Sequence, residues 1–173
     1  MRGRLMALTV VALTLSTTGC LSGFKYPLGP VSEGFIDKAL LGAWVCHSAD
    51  DTVSTDLTFV DFDGWQYLVQ SDDHKSSPYS HRAIGTRLDD GATFVSLRAL
   101  APKADEDWSV FTYSFSDANH FSLGLVDPDP FEDIIDDRQA VRERLAAHLQ
   151  DSEVLHELLS CTQRDARAAQ PQS

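Results

Sequence analysis

Residues 57–69, LTFVDFDGWQYLV, decide the fold of this chain. Two short runs rich in β-branched and aromatic residues, 57–62 and 65–69, flank Asp63-Gly64. An Asp-Gly pair is typical of the two-residue type I′ turn that joins antiparallel strands, because both positions then have positive φ. Side chains alternate along a strand, so Trp65, Tyr67 and Val69 fall on one face. This stretch predicts a β-hairpin.

The same alternation continues on both sides of the hairpin. Asp89-Asp90-Gly91 and residues 116–119 (SDAN) supply further turn chemistry between apolar runs. Seven short strands in sequential order predict an antiparallel meander, which must protect its edges by closing into a barrel or by being covered. The five strands predicted outside the first hairpin are 41–47, 81–88, 93–99, 108–115 and 120–126.

The C-terminal part of the chain has helical spacing. Asp129 is a suitable N-cap with Pro130 at the first helical position, and apolar residues recur at helical intervals to residue 149. Residues 151–159 repeat the pattern after a second capping aspartate, and 161–164 predict a final strand or closing turn. The predicted fold class is α+β, with an antiparallel β meander forming a barrel or strongly curved sheet and two C-terminal helices packed on it.

The N-terminus has the features of an export signal. Basic residues at positions 2 and 4 precede an apolar run, 5–15, that is too short for the ~20 residues needed to span a bilayer. Residues 16–20, STTGC, resemble the lipobox of bacterial lipoproteins, which implies cleavage after residue 19 and lipidation of Cys20. The alternative is ordinary secretion with cleavage nearby, which would leave Cys20 as a thiol or disulfide partner. Leu21, in place of the aspartate of the inner-membrane retention signal, implies an outer-membrane anchor facing the periplasm.

Charge and composition divide the remaining chain and limit its partners. Residues 20–37 are rich in Gly and Pro and predict a flexible tether, 38–164 predict one β domain, and 165–173 predict a disordered tail. Loss of residues 1–19 removes two arginines and no acid, so the net charge changes from −12 to −14. This charge excludes nucleic acid and anionic head groups as partners and permits a cationic protein. The sequence leaves the oligomeric state open.

The other two cysteines are Cys46 and Cys161. If Cys20 is acylated, an oxidising periplasm favours a disulfide between them. The alternative is two buried thiols. A catalytic Cys46 paired with His47 is disfavoured, because neighbours in a strand point to opposite faces.

Residues 41–44, LGAW, resemble the G-x-W signature of lipocalin-like barrels. Together with the lipobox, meander and C-terminal segment, they resemble a group of uncharacterised proteobacterial lipoproteins. The resemblance implies that Trp44 closes one end of a barrel and that Arg164 packs over it. The T-D-Y motif of lipocalins is absent; the nearest run, Thr55-Asp56-Leu57, comes too early. The group implies no activity.

Motifs for catalysis and metal binding are lacking. Residues 127–138 begin like a calcium loop but have Glu132 at the sixth position and Arg138 at the twelfth. Glu153 and His156 have di-iron ligand spacing without a second such motif. No H-x-x-x-H, C-x-x-C, G-x-S-x-G or glycine-rich phosphate loop occurs. We therefore predict a non-enzymatic protein with no cofactor, no metal and no catalytic residues.

Two functions remain for a lipid-anchored β domain. The first is an interaction or accessory protein of the cell envelope that engages a periplasmic protein partner. The second is a module that binds a small apolar ligand, such as a lipid, inside the barrel. Inward aromatic residues would line the ligand site or fill the core. These candidate aromatics are Trp44, Trp65, Tyr67, Phe111 and Tyr113.

Overall fold

A computed structural model describes residues 23–75, 77–100, 107–149, 151 and 153–164. The predicted signal peptide, Cys20 and the tail over 165–173 lie outside the described residues. The described chain forms eight strands, one α-helix and two short 3₁₀ turns, Val31–Glu33 and Asp129–Phe131. The strands and helix are β1 (Gly42–His47), β2 (Ser54–Asp61), β3 (Tyr67–Asp72), β4 (Tyr79–Arg87), β5 (Thr93–Ala99), β6 (Ser109–Asp117), β7 (His120–Val126), α1 (Arg138–Ala147) and β8 (Leu155–Gln163).

The strands form a closed antiparallel barrel in sequential order, and β8 pairs with β1 to complete it. The predicted meander is therefore confirmed, and the architecture is compatible with a lipocalin-like fold. Cys46 lies directly opposite Cys161 at the β1–β8 closure, with their Cα atoms 4.0 Å apart, and the two form a disulfide. Closure pairs the backbone N–H and C=O groups that the edge strands of an open sheet would expose.

The first hairpin is confirmed, but its turn differs from the prediction. β2 and β3 pair from Asp61 and Tyr67 outward, so the loop has five residues and not two. Gly64 alone in this loop has positive φ, at 82°, whereas a type I′ turn needs a second such residue. The Asp63 carboxylate accepts hydrogen bonds at 2.9 Å from the backbone N–H groups of Trp65 and Gln66. Side-chain capping by aspartate therefore sets the loop conformation.

The predicted second helix is wrong, because Leu155–Gln163 is strand β8. Leu123 of β7 pairs with Leu159, whereas the next residue, Gly124, pairs with Glu157. Leu158 is thus an extra residue in a β-bulge, which shifts the alternation of apolar residues by one position. Leu159 therefore packs against the interior cluster and Leu155 against the outer one, although their spacing of four residues also suits one face of a helix.

The remaining helix begins later than predicted. Asp129–Phe131 forms a 3₁₀ turn, and α1 begins at Arg138 with Asp137 as its N-cap. The Asp137 carboxylate accepts from the N–H groups of Gln139 and Ala140 at 3.0 and 3.1 Å. Because an N-cap needs extended backbone and a side-chain acceptor for the first turn, Asp137 meets the requirement that the sequence assigned to Asp129.

The tether predicted over 20–37 is wrong from residue 23 onward. Phe24 and Leu28 are 3% and 2% exposed, and Phe24 exchanges backbone hydrogen bonds with Trp108 at 2.7 and 2.8 Å. The Leu28 N–H donates to the buried Ser96 hydroxyl at 3.0 Å. Arg138 of α1 donates to the Pro27 carbonyl at 2.9 Å. Residues 23–33, the N-terminal segment, therefore lie between the barrel wall and α1.

Two apolar clusters result. One fills part of the barrel interior, and the other lies between the outer wall at β4–β6, the N-terminal segment and α1. Phe131, Val141 and Leu145 contribute the helical side of the outer cluster, which confirms that this apolar face packs on the sheet. In the described parts of the chain, no helix has the length and apolar character needed to cross a membrane.

Candidate functional site: an interior cavity open at one end of the barrel

The barrel interior contains a cavity of about 510 Å³. Its lining residues come from the ends of the strands nearest the β1–β2, β3–β4 and β5–β6 connections. We call this end of the barrel the mouth. The cavity is lined by Thr55, Leu57, Phe59, Val69, Ser71, His81, Val95, Leu97, Ala99, Asp107, Ser109, Phe111, Leu123 and Leu159.

Polarity in the cavity changes with depth. On β2, β3 and β4 the lining residue nearest the mouth is polar: Thr55, Ser71 and His81. Farther along β2 and β3 the lining is apolar, with Phe59 and Val69. The cavity therefore suits a molecule with an apolar body and a polar end directed at the mouth.

His81 is a titratable side chain of this lining, and it is half-buried. Desolvation lowers the pKa of His81 from its ordinary value of 6.5, and a hydrogen bond with the Val69 backbone acts in the opposite direction. Its Nδ1 atom is buried and has no hydrogen-bond partner in the protein. A neutral imidazole with an unpaired ring nitrogen is a ready partner for a polar ligand group, because a buried polar atom without a partner is costly.

The other half of the interior is closed. Trp44 packs edge-on against Phe121 with ring centroids 4.7 Å apart, and Phe115 lies 5.4 Å from Phe121. The chain at residues 34–41, which we call the strap, lies across this end. The Phe35 N–H donates to the Gly85 carbonyl, and a Cβ on Gly85 would lie 2.4 Å from the Phe35 oxygen. Only glycine permits this approach.

Asp37 of the strap joins two barrel tyrosines. Its backbone N–H donates to the Tyr67 hydroxyl at 2.5 Å, and its carboxylate accepts from the Tyr113 hydroxyl at 3.2 Å. Burial raises the pKa of Tyr67 to about 12. Burial and the Asp37 charge raise the pKa of Tyr113 as well. Both phenols are therefore neutral at physiological pH and serve as hydrogen-bonding groups that hold the strap in place.

The aromatics predicted from sequence fall in three places. Trp44, Tyr67 and Tyr113 lie in the closed half and are buried, whereas Phe111 lines the cavity. The placement of Trp65 with Tyr67 on the inner face is wrong, because Trp65 lies in the β2–β3 loop and is 53% exposed. The five-residue loop ends the strand alternation before position 65.

Trp44 occupies the position that the lipocalin resemblance implies. Its Nε1–H donates to the Leu40 carbonyl of the strap at 2.9 Å, and the side chain is fully buried. Arg164 has a different partner, because its guanidinium donates to the Asp56 carboxylate at 2.5 Å. The implied pairing of Arg164 with the Trp44 ring is replaced by an ion pair on the β2 side.

Sequence reasoning missed the polar lining at the mouth. Ser71, His81 and the small Ala99 beside them carry no motif, and the sequence places His81 and Ala99 in predicted strands and Ser71 just after one. Pairing of Val69 with His81 and of His81 with Ala99 brings them to the inner face. Alternation places His81 on the same face of β4 as Ala83, but only the register with Val69 shows that this face is the inner one.

Within the described residues, no three His, Cys, Asp or Glu side chains form a group able to hold a metal ion. Comparison of the chain with family models, curated proteins and solved structures finds no match. The geometry of the cavity and the predicted export signal are therefore the features that bear on function.

Proposed function

We propose that this chain is a lipid-anchored, lipocalin-like protein of the bacterial envelope that binds one small amphipathic ligand inside its barrel. The cavity of about 510 Å³ carries the proposal. This volume lies within the range of about 300 to 1,000 Å³ typical of small-molecule sites. A β domain whose only purpose was to present an outer surface would gain stability by filling this space.

The lining supports an apolar ligand with one polar group. Leu57, Phe59 and Leu97 offer apolar surface, and burial of a matching ligand surface is favourable by about 25 cal/mol per Å². His81 and Ser71 offer hydrogen-bonding groups on the mouth side. A fatty acid, a monoacyl lipid or a molecule of similar shape meets both requirements.

The anchor is the second part of the proposal. STTGC at residues 16–20 resembles a lipobox, and several acyl chains on Cys20 would hold the protein firmly on a membrane. Replacement of Cys20 by alanine is expected to move the protein from the membrane fraction to the soluble fraction. Continued fractionation of the variant with membranes would contradict the anchor.

Ligand binding is tested with two adjacent substitutions on β3. Ser71→Phe places a large side chain in the cavity, whereas Gln70→Phe places the same side chain on the outer face. The probe is N-phenylnaphthylamine, a neutral apolar dye whose emission rises in apolar surroundings. We expect saturable binding to the purified wild-type chain and to Gln70→Phe, with loss of at least tenfold in affinity for Ser71→Phe. Equal binding by the two variants, or no saturable binding by the wild type, overturns the proposal.

A periplasmic protein partner is the second candidate function. Phe62 and Trp65 in the β2–β3 loop are 68% and 53% exposed, and aromatic residues of this kind are frequent anchors of protein interfaces. A photo-crosslinking residue at position 62 should then give one discrete product in intact cells, and the same residue at position 70 should give none. Absence of a discrete product at position 62 removes this candidate.

A further inference from the structure

The course of the N-terminal segment relates the cavity to the anchor. Phe24 pairs with Trp108, just before β6, at the mouth end of the barrel. Farther along, the Leu28 N–H donates to the Ser96 hydroxyl on β5. The chain then reaches the opposite end of the barrel, where a Cβ on Gly34 would lie 2.4 Å from the Trp65 carbonyl oxygen. The described chain therefore begins at the mouth and runs toward the closed end.

Gly23 is adjacent to the cavity rim. A Cβ on Gly23 would lie 2.7 Å from the Cβ of Asp107, one of the cavity-lining residues. Gly23 is three positions after Cys20, and three fully extended residues span at most about 11 Å. An acyl group on Cys20 must therefore enter a membrane close to the mouth.

The length of the barrel excludes the opposite orientation. The nine residues of β4 extend about 30 Å along the strand. Because strands of a barrel tilt by about 35–45° from its axis, β4 covers about 20 Å of the barrel's height. This height is about twice the reach of the chain from Gly23 to Cys20. The closed end, with Phe62 and Trp65, cannot face the bilayer while the lipid is inserted.

The mouth also has an apolar rim. Val53, Tyr79 and Leu100 lie where the chain enters or leaves β2, β4 and β5, and they are 47%, 52% and 53% exposed. Tyrosine and aliphatic side chains partition favourably into the boundary between head groups and acyl chains. These three side chains have the position and chemistry to contact lipid.

Charge at the mouth selects the kind of bilayer. Asp50 and Asp51 lie in the β1–β2 loop, and hydrogen bonds from Ser48 and Thr52 lower the pKa of Asp50 to about 2. Its carboxylate is thus ionised at physiological pH, and it repels anionic head groups. A zwitterionic surface does not impose this repulsion.

We infer that the mouth of the barrel rests on a zwitterionic phospholipid surface, held by the lipid on Cys20 and by the exposed side chains of Val53, Tyr79 and Leu100. This inference rests on the anchor in the proposed function and is independent of ligand binding. In this orientation the cavity opens toward the bilayer. A ligand that enters from the membrane side is then a membrane lipid or its monoacyl product.

The test uses the full lipidated chain in phosphatidylcholine vesicles, with a nitroxide on one introduced cysteine. Cys46 and Cys161 are joined in a disulfide, so the introduced thiol is the reactive one once Cys20 is acylated. Tyr79→Cys and Leu100→Cys report on the mouth, and Phe62→Cys is the matched control at the closed end. The measured quantity is the ratio of collision with oxygen to collision with a water-soluble nickel chelate. On vesicle binding, we expect this ratio to rise severalfold for the labels at 79 and 100 and to stay unchanged for the label at 62.

Two further measurements make the outcome decisive. Insertion of twelve Gly and Ser residues between positions 22 and 23 should remove the gain at 79 and 100 while the chain still floats with the vesicles. In the chain without added cysteine, vesicle binding should slow backbone hydrogen exchange at residues 48–53 and leave it unchanged at 62–66.

Labels at 79 and 100 that remain in water on floating vesicles overturn the inference and leave the anchor intact. A chain that carries no lipid overturns both. A failure to bind the apolar dye bears on neither result, because every measurement here is made without ligand.

Discussion

The two halves of the barrel interior are built from the same eight strands, yet one half is filled and the other contains a cavity. In the closed half, Trp44, Phe115 and Phe121 interlock, and the strap covers them. In the open half, the corresponding inward positions near the mouth carry small or polar side chains such as Ser71 and Ala99. The strand pairing is continuous through both halves, so the difference comes from the volume of the inward side chains and from the strap, which adds Leu40 to the closed half.

This contrast separates stability from binding. A packed interior gains dispersion energy and excludes water, and truncation of its members is costly. A cavity lacks these dispersion contacts and lowers the free energy of unfolding, so other parts of the domain must stabilise the fold. Here the disulfide, the aromatic cluster and the outer cluster are the sources. We therefore expect stability to depend on the closed half and ligand affinity to depend on the open half.

The largest expected effect concerns the disulfide, which joins the walls of both halves at β1 and β8. Cys46 and Cys161 are 115 residues apart, for which the chain-entropy model gives about 4 to 5 kcal/mol. We predict that the double variant Cys46→Ala/Cys161→Ala loses about this much free energy of unfolding in urea. Because the barrel closes through this seam, far-UV circular dichroism and indole fluorescence should still report one transition.

Separate transitions for the two probes would show that the halves unfold independently and would end the view of one cooperative barrel. The matched control is reduction of the wild-type protein, which should reproduce the double variant. If urea midpoints of oxidised and reduced protein coincide, the disulfide contributes nothing to stability.

The second prediction compares two phenylalanines, one in each half. Phe121 is 1% exposed and packs on Trp44, whereas Phe111 lines the cavity. We expect Phe121→Ala to cost about 3 to 5 kcal/mol, and Phe111→Ala roughly half of that or less, because one side of the Phe111 ring already lacks protein contacts. Urea unfolding of both variants measures the difference.

The effects of the two substitutions on dye affinity should rank in the reverse order, with the larger effect for Phe111→Ala. Phe111→Ala enlarges the cavity and changes the affinity for N-phenylnaphthylamine, while Phe121→Ala leaves that affinity near the wild-type value under conditions where the variant is folded. Equal costs in stability would mean that the cavity half is as tightly packed as the closed half, and the comparison would fail.

The strands could be predicted from the sequence because alternation reports which face of a strand is buried, and Tyr67 and Val69 illustrate this. Residues 155–160 of β8 could not, because the bulge at Leu158 interrupts the alternation that a single sequence displays. The N-terminal segment was read as a tether from its Gly and Pro content. Only the fold shows that Phe24 and Leu28 meet the outer wall.

The cavity could not be predicted because it is a property of volume and not of pattern. Ser71 and Ala99 alternate with outward residues as any inward residues would, and their small size becomes informative only when the opposite wall is known. The pairing of Cys46 with Cys161 was accessible, since two cysteines were left once Cys20 was assigned to the lipid. The sequence also places Cys161 in a final strand or closing turn, but the pairing of that strand with β1 follows only from the fold.

The smallest expected effect is a pH dependence that originates in the open half. Burial lowers the pKa of His81 in the folded state, whereas in the unfolded chain it titrates near 6.5. As the pH falls below about 6.5, the unfolded chain therefore binds this proton before the folded protein does, and the free energy of unfolding decreases until the pH reaches the lower folded-state pKa. Above about 6.5 the contribution is constant. We predict that His81→Gln reduces the slope of stability against pH between 6.5 and 5, measured by urea unfolding at each pH. His47→Gln, at an exposed position, is the control.

A ligand with a carboxylate end bound near His81 would favour the protonated imidazole and reduce the same slope in the wild-type protein. An unchanged slope in saturating fatty acid would therefore place the polar end of that ligand away from His81. An unchanged slope in His81→Gln would show that the imidazole is solvated in the cavity, and the polar gradient of the open half would then lose its titratable member.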